Sequence, residues 1–276
     1  MHDRRAILAT YLAGDEPRLA PSIADVFGAS VVEMLKFDGV HVSGQAVHKS
    51  LGLADAGLIT LDELEGRVRT IADAVSVPVI VDGETGFGNV RNLRRTVRAL
   101  ERAGASAIHF EDQVTPRRYR AGGNVPTIST AEMIDKLKAA LDERVDEKML
   151  IIGRCEDRTS NEILIERMIA YAETGIDGMW SSGFGADIIQ PIRDAAKGIR
   201  FLGVPTDRLI RKETAKLGVP VMIFPTIPSV AAAWGMATAL RKMRDAGSPD
   251  EAYRSIDGLD DVRSWFRALG EDRFHA

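Results

Sequence analysis

Eight short apolar segments recur along the chain, and each is followed by a stretch with helical periodicity. The segments span residues 19–23, 39–43, 77–82, 105–111, 149–154, 178–181, 199–204 and 219–224. Several are continuously apolar, which is typical of parallel strands buried on both faces of a sheet. In the stretch between the second and third segments, Leu64, Val68 and Ile71 fall on one helical face. The repeated order of strand, loop and helix predicts an α/β fold.

The number of repeats selects the architecture. Eight units favour a closed (β/α)8 TIM barrel, whereas five or six units with a glycine-rich first turn would favour an open, doubly wound sheet. A chain of 276 residues is close to the usual length of about 250 for such barrels. No linker divides it, so we predict one domain over residues 1–276.

The last part of the chain lies beyond the eighth repeat. We predict that residues 248–276 form an extra C-terminal helix, in which Val262, Trp265, Phe266 and Leu269 are the apolar residues. This extension is expected to pack on the barrel or on a neighbouring subunit.

Composition argues against several classes of partner. The chain has 36 basic and 40 acidic residues and a formal charge of -4, so it has no excess of cationic side chains for a nucleic acid. No apolar run approaches the roughly 20 residues that span a bilayer. The single cysteine, Cys155, cannot form an intramolecular disulfide, and no segment resembles a secretion signal. We therefore expect a cytoplasmic protein that acts on a small molecule.

Acidic side chains gather where the predicted strands end. In a (β/α)8 barrel these ends form the mouth of the active site. Asp82 and Glu84 follow the third strand, Glu111 ends the fourth, and Arg154 ends the fifth. Neighbouring carboxylates repel unless a cation bridges them, and oxygen ligands select Mg2+ or Mn2+. We predict that the three acids hold Mg2+, partly through water, and that Arg154 binds a substrate carboxylate.

Simpler interpretations exist for single residues. An acidic residue at a strand end often only caps the following helix, but this explanation weakens when four charged residues converge. His41, His48 and His109 show no metal-ligand spacing. We interpret them as structural, although His48 is placed to reach the mouth.

Four longer motifs together resemble the isocitrate lyase and phosphoenolpyruvate mutase superfamily, in particular its short members such as methylisocitrate lyase and oxaloacetate decarboxylase. They are Val42-Ser43-Gly44-Gln45, the stretch 50–60, the stretch 82–89 and Phe110-Glu111-Asp112-Gln113. The resemblance implies a barrel whose C-terminal helix is exchanged between subunits, within a homotetramer built as a dimer of dimers. It also implies a Mg2+ ion that chelates an oxo acid or its enolate.

The same resemblance assigns further residues. Ser43, Gly44 and Gln45 would bind the substrate carboxylate, and Asp55 would join the acids around the metal. The lyases carry a proton-donating cysteine in the loop after the fourth strand, and Tyr119 stands at that position here. Asp55, Arg154 and Tyr119 are therefore the candidate catalytic residues. A tyrosine could donate a proton if the arginines beside it lowered its pKa, or it could only close the lid.

Other departures affect substrate choice. Glu84 stands where many members have aspartate, Cys155-Glu156 replaces a common Thr-Asp pair, and Ser181-Ser182-Gly183 lacks a glutamate of the lyases. The asparagine-containing loop of the mutases is also missing. Metal binding should survive these changes, but the identity of the substrate cannot be transferred.

Three functions remain open at this stage. The first is a Mg2+-dependent lyase or decarboxylase that acts on a small oxo- or hydroxy-di- or tricarboxylate. The second is a phosphonopyruvate-type hydrolase or mutase, in which Arg117, Arg118 and Arg120 would face a phosphonate; a solvated lid explains these arginines more simply. The third is a non-catalytic barrel that binds a carboxylate.

Overall fold

A computed structural model describes residues 3–117, 125–205 and 211–270 of the chain. Eight parallel strands close into a barrel in which each pairs with the next along the sequence and the last pairs with the first. The strands are β1 (Arg18–Ile23), β2 (Val40–Val42), β3 (Val79–Asp82), β4 (Ala107–Glu111), β5 (Leu150–Arg154), β6 (Gly178–Ser182), β7 (Phe201–Val204) and β8 (Val221–Phe224). Each overlaps one predicted segment, so the predicted (β/α)8 barrel is confirmed.

Twelve helices lie in the described residues. They are α1 (Arg4–Ala13), α2 (Val26–Met34), α3 (Gly44–Ser50), α4 (Leu61–Ala74), α5 (Val90–Arg102), α6 (Thr130–Glu143), α7 (Asn161–Ala172), α8 (Ala186–Ala195), α9 (Arg211–Lys216), α10 (Ile227–Ala246), α11 (Asp250–Arg254) and α12 (Leu259–Gly270). Helix α4 begins at a capping box formed by Thr60 and Glu63. Its apolar face is buried through Leu64, Val68 and Ile71, as the periodicity predicts.

The apolar residues form two layers. One layer lies between the strands and the surrounding helices. The other fills the barrel interior and includes Ile80, Ile152 and Leu202 together with Leu8 and Leu12 of α1. Helix α1 therefore covers the end of the barrel where the strands begin. This helix was not predicted from the sequence, because it precedes the first repeated unit of strand and helix.

Strand register brings the charged ends together. Asp82 of β3 pairs with His109 of β4, and Glu111 of β4 pairs with Arg154 of β5. Because parallel strands all end at the same rim, these side chains meet at one mouth of the barrel.

The C-terminal part of the chain differs from the prediction. Helix α10 is 20 residues long and has no buried residue. After it, residues 248–270 form two helices, α11 and α12, instead of the single predicted one. Gly258, with φ of 66°, directly precedes α12, and this left-handed turn interrupts a continuous helix. Val262 and Trp265 lie in α12 and are half-buried, whereas the side chains of Phe266 and Leu269 fall outside the described part. None of the described helices is both long enough and apolar enough to cross a membrane.

Candidate active site

The four predicted carboxylates lie together at the carboxyl ends of β3 and β4. Asp82 and Glu111 are the last residues of these strands, Glu84 follows β3 by two residues, and Asp55 belongs to the loop after α3. The side chains of Asp82, Glu84 and Glu111 are at most 8% exposed, whereas that of Asp55 is 24% exposed. Three acids are thus buried, and the fourth faces the opening.

Backbone geometry fixes Asp82 and Glu84. The N–H of Gly44 donates to Asp82 Oδ2 at 3.3 Å, and the N–H of Glu84 donates to Asp82 Oδ1 at 3.1 Å. Glu84 itself has φ of 53°, in the left-handed region. A Cβ atom on Gly44 would lie 1.8 Å from Glu84 Oε1, so only glycine leaves room for this carboxylate. The glycine of the Ser-Gly-Gln motif therefore shapes the acidic cluster.

Arg117 joins three of the acids. Its Nη1 donates to Asp55 Oδ1 at 2.6 Å, and its Nη2 donates to Glu111 Oε1 at 2.9 Å and to Glu84 Oε2 at 3.2 Å. The side chain is only 8% exposed. The interpretation of this arginine as part of a solvated lid is therefore wrong, because its guanidinium is drawn into the carboxylates.

Arg118, Arg120 and the candidate catalytic Tyr119 lie outside the described residues.

Arg154 occupies the opposite side of the cluster. Its Nη1 lies 3.5 Å from Glu111 Oε2 and 3.8 Å from Asp82 Oδ2. Its Nε donates to Glu156 Oε1 at 2.5 Å, and its Cζ lies 5.4 Å from the centroid of the Trp180 ring. Glu156 and Trp180 therefore hold the guanidinium in one orientation toward the cavity.

The crowding of acids changes their protonation. Burial, together with repulsion from Asp82 and Glu111, raises the pKa of Glu84 to about 9. Burial also raises the pKa of Glu111, to about 7, although Arg154 and Arg117 oppose the shift. For Asp82 burial acts in the same direction, yet His109, Arg154 and Arg117 outweigh it and hold the pKa below its usual value. The cluster thus cannot carry its full negative charge without further cationic partners.

The donor set fits a hard divalent cation. Within the described residues, Glu84 Oε1 and Glu111 Oε2 are buried and accept no hydrogen bond. Such orphaned carboxylate oxygens are costly unless a cation engages them. With Asp82 and Asp55 they form an all-oxygen set of the type that binds Mg2+ or Mn2+.

His48 is close to this set but is not available as a ligand. His48, Asp55 and Glu84 place ligand-type atoms within 4.8 Å of one another. However, His48 Nδ1 donates to the Gly44 carbonyl at 2.7 Å, and its Nε2 accepts from the N–H of Leu58 at 3.0 Å. Both nitrogens are used, which supports the structural role that the sequence suggested for this histidine.

A cavity of about 320 Å3 opens beside the acids. Its size suits a small di- or tricarboxylate. Its lining includes residues from β2 to β8 and the loops that follow them: His41, Ser43, Gln45, Asp55, Asp82, Arg117, Arg154, Glu156, Trp180, Ser182, Val204, Pro225 and Thr226. Acidic and basic side chains therefore share the lining with the apolar side chains of Trp180, Val204 and Pro225.

Similarity to known proteins shows the family of this chain. The sequence profile of the family described as phosphoenolpyruvate phosphomutase matches residues 8–244. The chain belongs to the phosphoenolpyruvate phosphomutase family. The matched range includes all eight strands and every candidate site residue, and the superfamily resemblance noted in the sequence is confirmed.

Relatives within this family carry several activities. The chain is 36% identical over 262 residues to 2,3-dimethylmalate lyase of Eubacterium barkeri, which covers 89% of this chain and 91% of that protein. It is 34% identical over 254 residues to oxaloacetate decarboxylase of Rhodopseudomonas palustris strain HaA2, with 90% and 88% covered. A solved structure of phosphonopyruvate hydrolase in complex with oxalate and Mg2+ matches with a TM-score of 0.87 and 25% identity, and covers 99% of this chain and 97% of that one.

Most of the residues that lie together at the cavity were predicted from the sequence. Ser43, Gln45, Asp55, Asp82 and Arg154 line the cavity. Of the other predicted residues, Gly44 and Glu84 contact Asp82, and Glu111 contacts Arg117, whereas Tyr119 lies outside the described residues.

Three contributors were not predicted as site residues. Arg117 was considered only for the alternative hydrolase or mutase function, and Glu156 was noted only as a departure from the family pattern. Trp180 has a large apolar ring and lies in a predicted strand. Only the position of Glu156 and Trp180 near strand ends could have indicated their place at the mouth.

Proposed function

We propose that this chain is a Mg2+-dependent carbon–carbon lyase or decarboxylase that acts on a small oxo- or hydroxy-di- or tricarboxylate through an enolate. The observation that carries the proposal is the arrangement at the cavity, where Asp55, Glu84 and Glu111 contact Arg117, Asp82 lies beside them, and two buried carboxylate oxygens accept no hydrogen bond. Asp82, Glu84 and Glu111 would hold the ion. When bound, Mg2+ supplies Lewis-acid stabilisation of negative charge that develops on a substrate oxygen.

The chain's own residues bind and orient the substrate. Arg154, held by Glu156 and Trp180, presents its guanidinium to a substrate carboxylate. Ser43 and Gln45 line the same cavity and are assigned to substrate binding together with Gly44. A guanidinium fixed before the substrate arrives loses less entropy on binding, which favours a single orientation of the reacting bond.

We assign proton transfer to residues at the rim of the site. Asp55 is the most exposed of the four acids in the cluster, and we assign to it the exchange of a proton with a substrate hydroxyl group. Tyr119 keeps its assignment as a candidate catalytic residue. Decarboxylation expels CO2, and the enolate that it leaves can take its proton from solvent. Of the reactions considered, it therefore depends least on the proton-donating cysteine that the lyases carry. The names of the relatives, a lyase and a decarboxylase, support the same class.

We further propose that the chain works as a homo-oligomer, a dimer of dimers, in the cytoplasm. Helix α10 follows the eighth strand, yet none of its residues is buried. Ile227, Val230 and Trp234, spaced three and four residues apart on one face of it, are 59–71% exposed. An uncovered apolar face of this kind is typical of a subunit interface. The buried free thiol of Cys155 supports a reducing compartment.

The test is product analysis by NMR. Purified protein with Mg2+ is incubated with oxaloacetate, methylisocitrate, dimethylmalate and phosphonopyruvate, each beside an EDTA control. The proposal expects carbon–carbon cleavage of at least one carboxylate, lost in EDTA and in Asp82→Ala but kept in Asp62→Ala, which changes an exposed acid on α4. Turnover at the same rate with and without EDTA would contradict the proposal.

A second candidate is a phosphonopyruvate-type hydrolase, because the structural match includes such an enzyme. Phosphate release from phosphonopyruvate, without cleavage of the other acids, would favour it. Ligand-induced thermal stabilisation with no turnover of any compound would instead indicate a non-catalytic carboxylate-binding barrel.

A further inference from the structure

Below the carboxylates, four polar side chains form a line across the barrel interior. Ser22 Oγ lies 2.7 Å from His41 Nδ1, and His41 Nε2 lies 3.0 Å from His109 Nε2. His109 Nδ1 is 3.7 Å from Asp82 Oδ1 and has no hydrogen-bond partner in the described part of the chain. All four side chains belong to buried residues. The line therefore begins at a hydroxyl group and ends at a carboxylate assigned to the metal.

The sheet and its neighbours hold the two rings in place. Ser22 pairs with His41 across β1 and β2, and Asp82 pairs with His109 across β3 and β4. The two imidazoles stack with their centroids 5.3 Å apart. Trp180 packs on both, with its centroid 4.1 Å from that of His109. Rings confined in this way cannot exchange hydrogen-bond partners freely.

Burial determines how many protons the rings carry. Both rings are at most 2% exposed, and the 3.0 Å between their Nε2 atoms leaves room for one hydrogen only, so they cannot both be imidazolium ions. A charge buried this deeply is costly, so we assign each ring as a neutral imidazole, with one nitrogen as a donor and the other as an acceptor. In the His41–His109 contact one nitrogen must therefore carry the hydrogen, and the other must accept it.

Asp82 decides the direction. A lone pair on His109 Nδ1 would face the carboxylate charge and be repelled, whereas an N–H there is attracted. With the hydrogen on Nδ1, His109 Nε2 must accept from His41 Nε2–H. His41 Nδ1 must then accept from the Ser22 hydroxyl. The charge at one end thus sets every hydrogen position in the line.

We propose that Ser22, His41 and His109 form a one-directional hydrogen-bond chain that positions Asp82, with His41 as the Nε2–H tautomer and His109 as the Nδ1–H tautomer. His109 is a positioning residue, because it acts on the metal through Asp82. The 3.7 Å contact is longer than a hydrogen bond, so the interaction between the Nδ1–H group and the carboxylate is an electrostatic attraction. This inference rests on the proposed function only for the role of Asp82 as a metal ligand.

The tautomers are measured directly by NMR of protein labelled with 15N-histidine, at neutral pH, in EDTA and with Mg2+. His41→Gln and His109→Gln variants assign the signals, and His48, which donates through Nδ1, is an internal reference. The expected result is a hydrogen on Nε2 of His41 and on Nδ1 of His109. A hydrogen on Nε2 of His109, or an imidazolium at either ring, would overturn the proposal. This readout does not depend on catalysis.

The positioning role is measured by calorimetric titration with Mg2+ alone. An asparagine amide can replace the Nδ1–H donor of histidine, whereas leucine cannot. His109→Leu should weaken Mg2+ binding 10- to 100-fold, roughly the effect of losing a partner that orients a ligand, and His109→Asn should restore most of it. Equal affinities of the two variants, with circular dichroism showing both folded, would contradict the positioning role. If the unmodified protein bound no Mg2+, that result would count against the proposed function. The tautomers would still test the hydrogen-bond chain of Ser22, His41 and His109.

Discussion

At the scale of single residues, the site depends on two cations that neutralise the same carboxylates. Arg117 contacts Asp55, Glu84 and Glu111, which also belong to the proposed donor set for a divalent cation. The guanidinium contacts Oε2 of Glu84 and Oε1 of Glu111, whereas the other oxygen of each accepts no hydrogen bond, so a bound metal ion and the guanidinium would lie beside the same acids as like charges. Arg117 and Mg2+ should therefore oppose each other's binding to the cluster.

Replacing Arg117 with methionine tests this competition. The buried acids lose their cation, so the protein in EDTA should be less stable by roughly 3 kcal/mol, the order of breaking a buried ion pair. Mg2+ should then raise the melting temperature more than it does in the unmodified protein. The control is Arg95→Met, which breaks an exposed pair with Asp62. An equal Mg2+-induced shift in all three proteins would exclude the competition.

The raised pKa of Glu84 gives a pH prediction. Its folded pKa of about 9 exceeds the ordinary value of 4.5, so the folded state binds more protons and stability falls as pH rises between these values. Glu111, with a pKa of about 7, contributes only to the lower part of this range. Between pH 7 and 9 in EDTA, the unfolding free energy should therefore fall by roughly 2 kcal/mol.

Urea unfolding at the two pH values checks this slope. Glu84→Gln should remove most of it, because an amide does not titrate. Glu147→Gln, a change at an exposed acid, should leave it in place. If the Glu84 variant kept the full slope, the assignment of the shift to this side chain would be wrong.

At the scale of elements, the strands were predictable and the irregular segments were not. Continuous apolar runs placed each strand end within two residues, so the positions of Asp82, Glu111 and Arg154 followed from barrel geometry alone. The orientation of Arg117 was not predictable. It depends on a loop packing against acids that are distant in sequence, and no periodic pattern encodes such a contact.

The turn from β2 into α3 offers a test of how an element shapes the site. Gly44→Ala places a Cβ against the Glu84 carboxylate, the movable end of a side chain, so the fold should survive while the acids are displaced. Mg2+ affinity should fall at least about 10-fold, as for loss of a supporting contact. In Gly66→Ala, on open helical surface in α4, affinity should be unchanged and stability slightly higher. Unchanged affinity in Gly44→Ala would show that the turn does not limit the site.

At the scale of the whole molecule, the barrel is complete as a sheet but not as a ring of helices. Seven strand-to-strand connections carry helices, whereas α10, which follows β8, has no buried residue. Covering its apolar face requires surface from outside the described residues or from a second copy. The proposed assembly supplies the second copy.

Light scattering during size-exclusion chromatography tests this assembly. Trp234→Glu places a charge on the exposed apolar face of α10 and should shift the protein to smaller species, because a buried, unpaired charge is costly. Glu147→Ala, a change at an exposed position outside α10, should leave the mass unchanged. A monomeric unmodified protein would contradict the assembly.

The central claim is that a cation held by the acids creates the site for an enolate-like ligand. Oxalate has the flat shape and the charge of a small enolate, so its binding measured by calorimetry tests the claim most directly. The account predicts oxalate binding in Mg2+, little binding in EDTA, and loss of binding in Asp82→Asn but not in Asp62→Asn. Equal oxalate affinity with Mg2+ and with EDTA would contradict it.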